Sequence, residues 1–335
     1  MLKHQEAQKT LLEIASKLQV GEALPSIRSI MEKYNYSQST ITKAIEILEK
    51  QGAIERRSRS GIFATGKVHR KDMAALLIAH PLTPTGVEIL TGVQTQLLDS
   101  SRGLLLLPGG TRDFDSISKL LADNNINEVI ISPVSSLLDD MDYICFIQSL
   151  IARNCHVVVT DIPIPGVQAP LVGEENVKSF RVLTEQMVID GARKILVAGK
   201  FGSRVYASRL SGIKQVVDKT NISLQQLEVD NYTSLEEIAA KILSSNCDGV
   251  ILSDASTSGE LLYEMRIQAT NKSLSTIKVG AIMEGDCNFV WPQGWKLKKN
   301  SFELGKCAVK LLESNVLSNT VKLLPLKLSK IELKP

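Results

Sequence analysis

The chain has 335 residues, 44% of them hydrophobic, with 39 Lys/Arg against 36 Asp/Glu for a formal net charge of +3. That is enough for two or three domains with cores of their own. The opening MLKHQEAQKT lacks the apolar centre of a signal peptide, and runs such as AALLIA and LLLLP are too short to span a bilayer, so the expected location is the cytoplasm. Cys145, Cys155, Cys247, Cys287 and Cys307 form an odd set without CxxC spacing, and the four histidines are scattered. Reduced, mostly buried thiols are expected, with no metal and no cofactor, because tetrahedral sites need clustered ligands.

The charge is unevenly spread. Residues 1–71 hold 13 Lys/Arg against 7 Asp/Glu, a net of +6, and residues 72–335 hold 26 against 29, a net of −3. In chain order, Gln5 to Leu18 places Leu11, Leu12, Ile14, Ala15 and Leu18 at helical spacing, and Gly21 ends the run. Ser26 can cap a second helix with Ile27, Ile30 and Met31 inward, closed by Asn35. A third, SQSTITKAIEILEKQG (37–52), is capped by Ser37 and buries Ile41, Ala44, Ile45 and Leu48. Its other face carries Ser39, Thr42, Lys43, Glu46 and Lys50, which suits either a solvated surface or a polar partner. AIERRSRSGIFATG then alternates about Ser60-Gly61 as a hairpin does. Three helices and a hairpin, followed by the basic stretch 54–71, predict a winged helix-turn-helix with double-stranded DNA as partner.

The segment LPSIRSIMEKYNYSQSTITKAIEILEKQGAIERRSRSGIFA resembles the DNA-binding domain of GntR-type regulators through Leu24, Pro25, Ser26, Arg28, Ser37, Thr40, Ala44, Leu48, Gly52, Gly61 and Phe63. The resemblance implies that the third helix lies in the major groove and the hairpin tip at Gly61 approaches the minor groove. Arg28 would hold a phosphate or base, with Ser37, Ser39 and Thr40 at the backbone near the helix N-terminus. Two arginines usual in that family are Gln38 and Thr42 here, and its first wing glycine is Arg59. Gln pairs better with adenine than with guanine, so the usual operator is not expected. Gln38 and Lys43 are read as base contacts and Arg59 as a minor-groove insertion; simple phosphate contacts are the other reading of all three.

Beyond the expected linker at 67–72, apolar runs at 73–79, 103–108, 128–132, 156–160, 194–199, 224–229, 248–253 and 277–282 alternate with helical stretches. Such runs predict parallel strands, and eight units suit two doubly wound lobes, an α/β domain over 73–335 following a head at 1–66. No strand is followed by GxGxxG or a P-loop, which argues against a Rossmann-type enzyme.

Asp161, Val172, Gly173, Asn176, Gly191, Arg193, Ile195, Arg209 and Gly212, with FELGKCAVKLLE near the end, resemble the effector domain of LacI/GalR regulators, related to periplasmic sugar-binding proteins. A GntR-type reader joined to such a domain is the AraR-like arrangement. It implies a DNA-binding regulator, most often a repressor, that dimerises and closes its lobes on a small effector, in the first place a sugar or sugar derivative. By that resemblance Arg209 holds sugar hydroxyls. Asp161 ends a strand between lobes, as ligand or as turn cap. Asp254 and Glu284 follow other strands, the latter beside Ile282 and Met283, which replace an acidic pair of the family. Trp295 stacks on a ring or packs in a core. The missing pair keeps open an alternative, a regulator whose sensor has lost its ligand.

Overall fold

The computed structural model describes residues 3–50, 52–58, 60–65, 73–230, 232–285, 288–314 and 319–332. Arg59, the expected linker 67–72 and Asp286 lie outside them. By packing, the chain divides into two units, residues 1–73 with 115–127, and residues 74–114 with 128–335.

The amino-terminal region holds helices α1 (Lys3–Ser16), α2 (Ile27–Tyr34) and α3 (Gln38–Lys50) and strands β1 (Ile54–Arg57) and β2 (Gly61–Ala64). α1 buries Ala7, Leu11 and Ala15, one residue per turn. The Ser26 hydroxyl accepts the Ser29 N–H at 3.1 Å to open α2, and Asn35, at φ 55°, closes it in the left-handed region. α3 turns Ile41, Ala44, Ile45 and Leu48 into the core, all four fully buried, each Ile or Leu contributing roughly 1.5–3 kcal/mol. β1 and β2 pair antiparallel from Ile54 opposite Ala64 to Arg57 opposite Gly61. Three helices and a two-stranded wing are what the periodicity predicts.

The rest of the chain runs β3 (Met73–Ile78), α4 (Pro84–Asp99), β4 (Gly103–Pro108), α5 (Phe114–Asp123), β5 (Glu128–Ser132), α6 (Met141–Ala152), β6 (His156–Asp161), β7 (Leu171–Glu174), α7 (Asn176–Ile189), β8 (Lys194–Gly199) and α8 (Arg204–Val217). It continues β9 (Ser223–Glu228), α9 (Leu235–Ser244), β10 (Gly249–Leu252), α10 (Ala255–Gln268), α11 (Asn271–Thr276), β11 (Lys278–Met283), β12 (Gln293–Lys298), α12 (Ser301–Glu313), β13 (Val321–Leu324) and β14 (Lys327–Glu332). Among the described residues these strands form two six-stranded sheets, ordered β13-β7-β6-β5-β3-β4 and β14-β12-β11-β10-β8-β9. Each sheet is the floor of one lobe. In the second lobe, Val250 and Leu252 face the α9–α10 side while Ile251 faces α7 and α8, so alternate residues of one apolar strand fill two cores.

Four strands escaped the pattern: β7, β12, β13 and β14. β7 is four residues long, and KLSKIE of β14 alternates with lysines because it is an edge, where β14 runs antiparallel to β12. From β13 to β3 in one sheet and from β12 to β9 in the other, neighbouring strands are parallel. Thiol burial also differs from expectation. Among the described cysteines only Cys307 is buried, and Cys145 lies on the exposed face of α6. No described helix is long and apolar enough to cross a membrane.

The chain passes between the lobes three times, from β7 into α7, from β12 into α12 and from β13 to β14. These crossings form the hinge. They are tied together: the Glu175 N–H donates to the Leu324 carbonyl at 2.8 Å and the Leu326 N–H to the Ser179 hydroxyl at 3.3 Å. In the first lobe α4 and α12 meet at Gly92 and Gly305, where a Cβ would overlap the carbonyl oxygens of Phe302 and Ile89. Gly92→Ala should therefore lower the stability of this lobe by about 1–3 kcal/mol, the usual cost of overpacking. Thermal denaturation of the variant checks it, and an unchanged midpoint would mean the helices can part at no cost.

Candidate functional site

Two surfaces carry the chemistry expected from sequence, and they are built differently. The first is the outer face of α3. At its start the Ser37 hydroxyl accepts the Thr40 N–H at 3.3 Å and shares hydrogen bonds with the hydroxyls of Ser39 (3.1 Å) and Thr40 (2.7 Å). Gln38, Ser39, Thr42, Lys43 and Glu46 line one shallow surface. Gln38, Ser39 and Lys43 are exposed and Thr40 and Thr42 half-buried, so the helix presents donors and one ammonium beside a single carboxylate. Arg28 stands exposed on α2, its Nε donating to Glu32 at 3.1 Å, and such an exposed pair exchanges readily for a phosphate. In the wing, Gly61 has φ 116°, open only to glycine without strain. On β1, Arg57 pairs with Glu55 and lies over the Phe63 ring at 4.4 Å.

The second is at the hinge. Arg209, on α8, is 5% exposed. Its Nε donates to Asn176 Oδ1 at 2.8 Å, one terminal nitrogen to the Ser253 carbonyl at 2.7 Å, and the other faces Glu174 at 3.5 Å. Glu174 ends β7, on the first crossing, with Lys299 of the second crossing 3.5 Å away. The same ammonium lies 4.0 Å from Asp161, which ends β6 in the left-handed region at φ 66°. A non-glycine residue held there is a local strain that the surroundings sustain.

Burial pushes the Glu174 carboxyl above the usual range; Lys299 and Arg209 act against this, and Asp161 adds to it. Burial also lowers the Arg209 pKa against the pull of Glu174, Asp161 and Asp254. For Lys299 burial works downward, but Asp161 and Glu174 outweigh it and leave its pKa raised. The group is a desolvated ionic cluster in which each charge depends on the others.

Asp254 caps α10, accepting the Ser256 N–H at 3.1 Å, and its other oxygen lies 3.2 Å from Lys200. Glu284 accepts a hydrogen bond from Thr85 of the first lobe at 2.8 Å, and Arg204 reaches Asp139 across the lobes at 3.0 Å. Asp161, Asp254 and Glu284 lie at the carboxyl ends of β6, β10 and β11, where open α/β sheets bind ligands, and Arg209 reaches the Ser253 carbonyl at the end of β10 from α8. Trp295 does not join them. It sits near the amino end of β12, donating its indole N–H to Asp190 at 2.8 Å at the end of α7. Trp291 is fully buried, donating to the Ile277 carbonyl. A cavity of about 490 Å³ flanks the hinge, lined among others by Asp161, Glu174, Asn176, Arg181, Arg204 and Ser208.

Sequence reasoning missed Glu174 and Lys299. Lys299 lies in KLKKN, which reads as solvated charge, and Glu174 in a strand too short to recognise. Only the topology, which brings two crossings side by side, makes them partners.

Residues 12–64 match the profile of the bacterial regulatory proteins of the gntR family. The uncharacterized HTH-type transcriptional regulator YydK of Bacillus subtilis (strain 168) is 41% identical over 80 residues, 23% of this chain. The match spans 33% of that protein's length. The Cra transcriptional dual regulator of Pseudomonas putida, solved in complex with fructose 1-phosphate, superposes with a TM-score of 0.62 at 10% identity, covering 78% of this chain and 99% of that one. A LacI transcriptional regulator from Lactobacillus brevis gives 0.64 at 14% identity, covering 76% and 99%. At such identities the likeness is one of fold. Residues 12–64 thus match a GntR-family helix-turn-helix, and the two lobes share the periplasmic-binding-protein-like α/β fold of these LacI-type neighbours.

The ionic cluster makes a quantitative demand. Arg209→Met leaves the buried Glu174 carboxylate with Lys299 as its remaining cation and should cost about 3–5 kcal/mol at pH 7. Burial already holds the Glu174 pKa above the unfolded value of about 4.3 and Arg209 holds it down, so loss of Arg209 raises it further and the variant takes up the proton before the wild type as pH falls. The deficit of the variant should therefore shrink toward pH 5, and urea midpoints across that range measure it. A deficit independent of pH would mean that Glu174 is not the stranded charge.

Proposed function

We propose that the chain is a transcription regulator, acting as a repressor, in which residues 1–66 read operator DNA, 67–72 link, and 73–335 dimerise and bind a sugar or sugar derivative between the lobes. The observation that carries this is the outer face of α3, where a hydroxyl-capped helix start and exposed Gln38, Ser39 and Lys43 replace the solvated charge pairs of an ordinary surface helix. Free N–H groups at such a start favour phosphates, and Gln38 suits adenine. Arg28, Ser37, Thr40, Thr42 and Gly61 position the head, and Arg59 enters the minor groove at the wing. A dimer presents two heads, so the operator is near-palindromic. Asp161, Arg209, Asp254 and Glu284 supply the ligand groups, and Trp295, packed against its own lobe, contributes to the site only through that lobe. A ligand that binds one lobe arrangement more tightly shifts the heads by that difference.

One observation favours the second reading, a regulator with a silent sensor. Ile282 and Met283, in place of an acidic pair, are fully buried, and Arg209 is already held by three groups of its own chain.

Fluorescence anisotropy with fragments of the protein's own upstream region, at fixed salt and with a sugar panel, separates the readings. Specific binding altered by one sugar supports the first, and specific binding unaltered by all supports the second. Absence of specific binding contradicts both. Gln38→Ala should cost about 1–3 kcal/mol and relax preference at one base position, whereas a phosphate-contacting Lys43 would, when replaced by Ala, weaken all sequences alike and lower the salt slope by about 1.

A further inference from the structure

The cavity of about 490 Å³ beside the hinge is left unused by the groups assigned to the cleft. Of those groups only Asp161 lines it, while Arg209, Asp254 and Glu284 do not. Its walls come from β6, β7 and β13 and from α7 and α8, and its volume is that of a small-metabolite site. Six charged side chains line it, three of each sign, and the two signs are held differently. Lys299 lies 3.5 Å from Glu174 and 4.0 Å from Asp161, and Arg209 lies 3.5 Å from Glu174. Neither of these cations lines the cavity, so the two carboxylates are neutralised from behind its wall.

The cations that do line the cavity are loosely held. Arg181 Nε is buried without a hydrogen-bond partner, and the nearest carboxylate among the described residues, that of Glu185, is 3.7 Å away, beyond hydrogen-bond reach. Lys178 stands 3.8 Å from Glu175, and Arg204 donates to Asp139 of the opposite lobe at 3.0 Å. The side chains of Glu185, Glu175 and Asp139 are 45%, 29% and 82% exposed, so water solvates them when their cations turn away, and such pairs contribute little. An anion entering here gains three cations without stranding a buried carboxylate. The guanidinium forks of Arg181 and Arg204 match the oxygens of a phosphate or carboxylate group. The start of α7 borders the same space, and its N–H groups add partial positive charge.

We propose that this cavity is a second effector site, separate from the cleft, which takes a small metabolite bearing a phosphate or carboxylate group and grips it with Arg181, Lys178 and Arg204. Arg204 otherwise holds Asp139 of the opposite lobe, so the anion and that lobe-to-lobe pair compete for one guanidinium. Occupancy of the cavity is thereby coupled to the arrangement of the lobes. The site stands whether or not the cleft holds a sugar.

The test is calorimetry on the full-length protein at fixed ionic strength, in a buffer free of phosphate and carboxylate, with inorganic phosphate, citrate and glucose 6-phosphate as probes and glucose as the uncharged control. The expected result is saturable binding of an anion that glucose does not block, weakened roughly tenfold by Arg181→Gln and, at a more exposed position, by Lys178→Gln. Glucose 6-phosphate ahead of inorganic phosphate marks a phosphorylated metabolite, equal affinity marks the free ion, and citrate ahead of both marks a carboxylate. Asp139→Asn frees Arg204 and should tighten binding by roughly two- to fivefold, the worth of an exposed ion pair; unchanged affinity would remove Arg204 and the lobe coupling from the proposal. Absence of anion binding at about 10 mM, the scale of a weak metabolite site, overturns the proposal. Binding that either Arg181→Gln or Lys178→Gln leaves unchanged also overturns it, because the anion would then sit in the cleft or on the basic amino-terminal region.

Discussion

Everything in the larger unit depends on keeping a buried charge cluster satisfied at the place where the chain crosses between lobes. Glu174 lies on the first crossing, Lys299 on the second, and Arg209 reaches in from α8. Any one of them alone in the interior would cost several kcal/mol, and together they offset one another only in one register of the crossings. The crossings are therefore fixed in position relative to one another. The backbone bonds from Glu175 to Leu324 and from Leu326 to Ser179 hold the third crossing against the first.

The same cluster sets what the cleft can do. Arg209 is tied to Asn176 at the start of α7 and to the Ser253 carbonyl beside Asp254. A ligand that engages Asp161 or Asp254 thus perturbs groups anchored on both sides of the hinge, and the direct bonds from Thr85 to Glu284 and from Arg204 to Asp139 give the lobes contacts that such a ligand can compete with. In the proposed account this is the element whose two arrangements are coupled to the reading heads. The amino-terminal helices follow a contrasting design: a buried apolar core behind α3 and an outer face of exposed polar groups.

Much of this was legible in the sequence, for physical reasons. The Ser26 and Ser37 caps, the left-handed Asn35 and the four inward residues of α3 are local features, and the structure has them where spacing places them. Most of the eight recognised strands are near-continuous apolar runs because helices cover both faces of the sheets, whereas β4 and β9, at the edges, are largely exposed and β9 reads SLQQLE. What stayed hidden is what depends on distant partners. β13 and β14 lie at sheet borders and carry lysines; Lys299 reads as surface; and Trp295, which the NFVWPQGW stretch offers as a stacking platform, turns back onto Asp190 of its own lobe. That Asp254 follows a strand was legible from the strand pattern, whereas the place of Arg209 was legible only through the resemblance.

The account stands on Glu174 and Lys299 acting as one unit, and a double-mutant cycle measures that directly. Unfolding free energies of the full-length protein, Glu174→Gln, Lys299→Met and the pair would be compared under identical conditions. The double variant should be less destabilised than the sum of the singles by about 1–3 kcal/mol, because removing both charges strands neither. Additivity within about 0.5 kcal/mol would mean that the two charges are independent, and the hinge would then need another explanation.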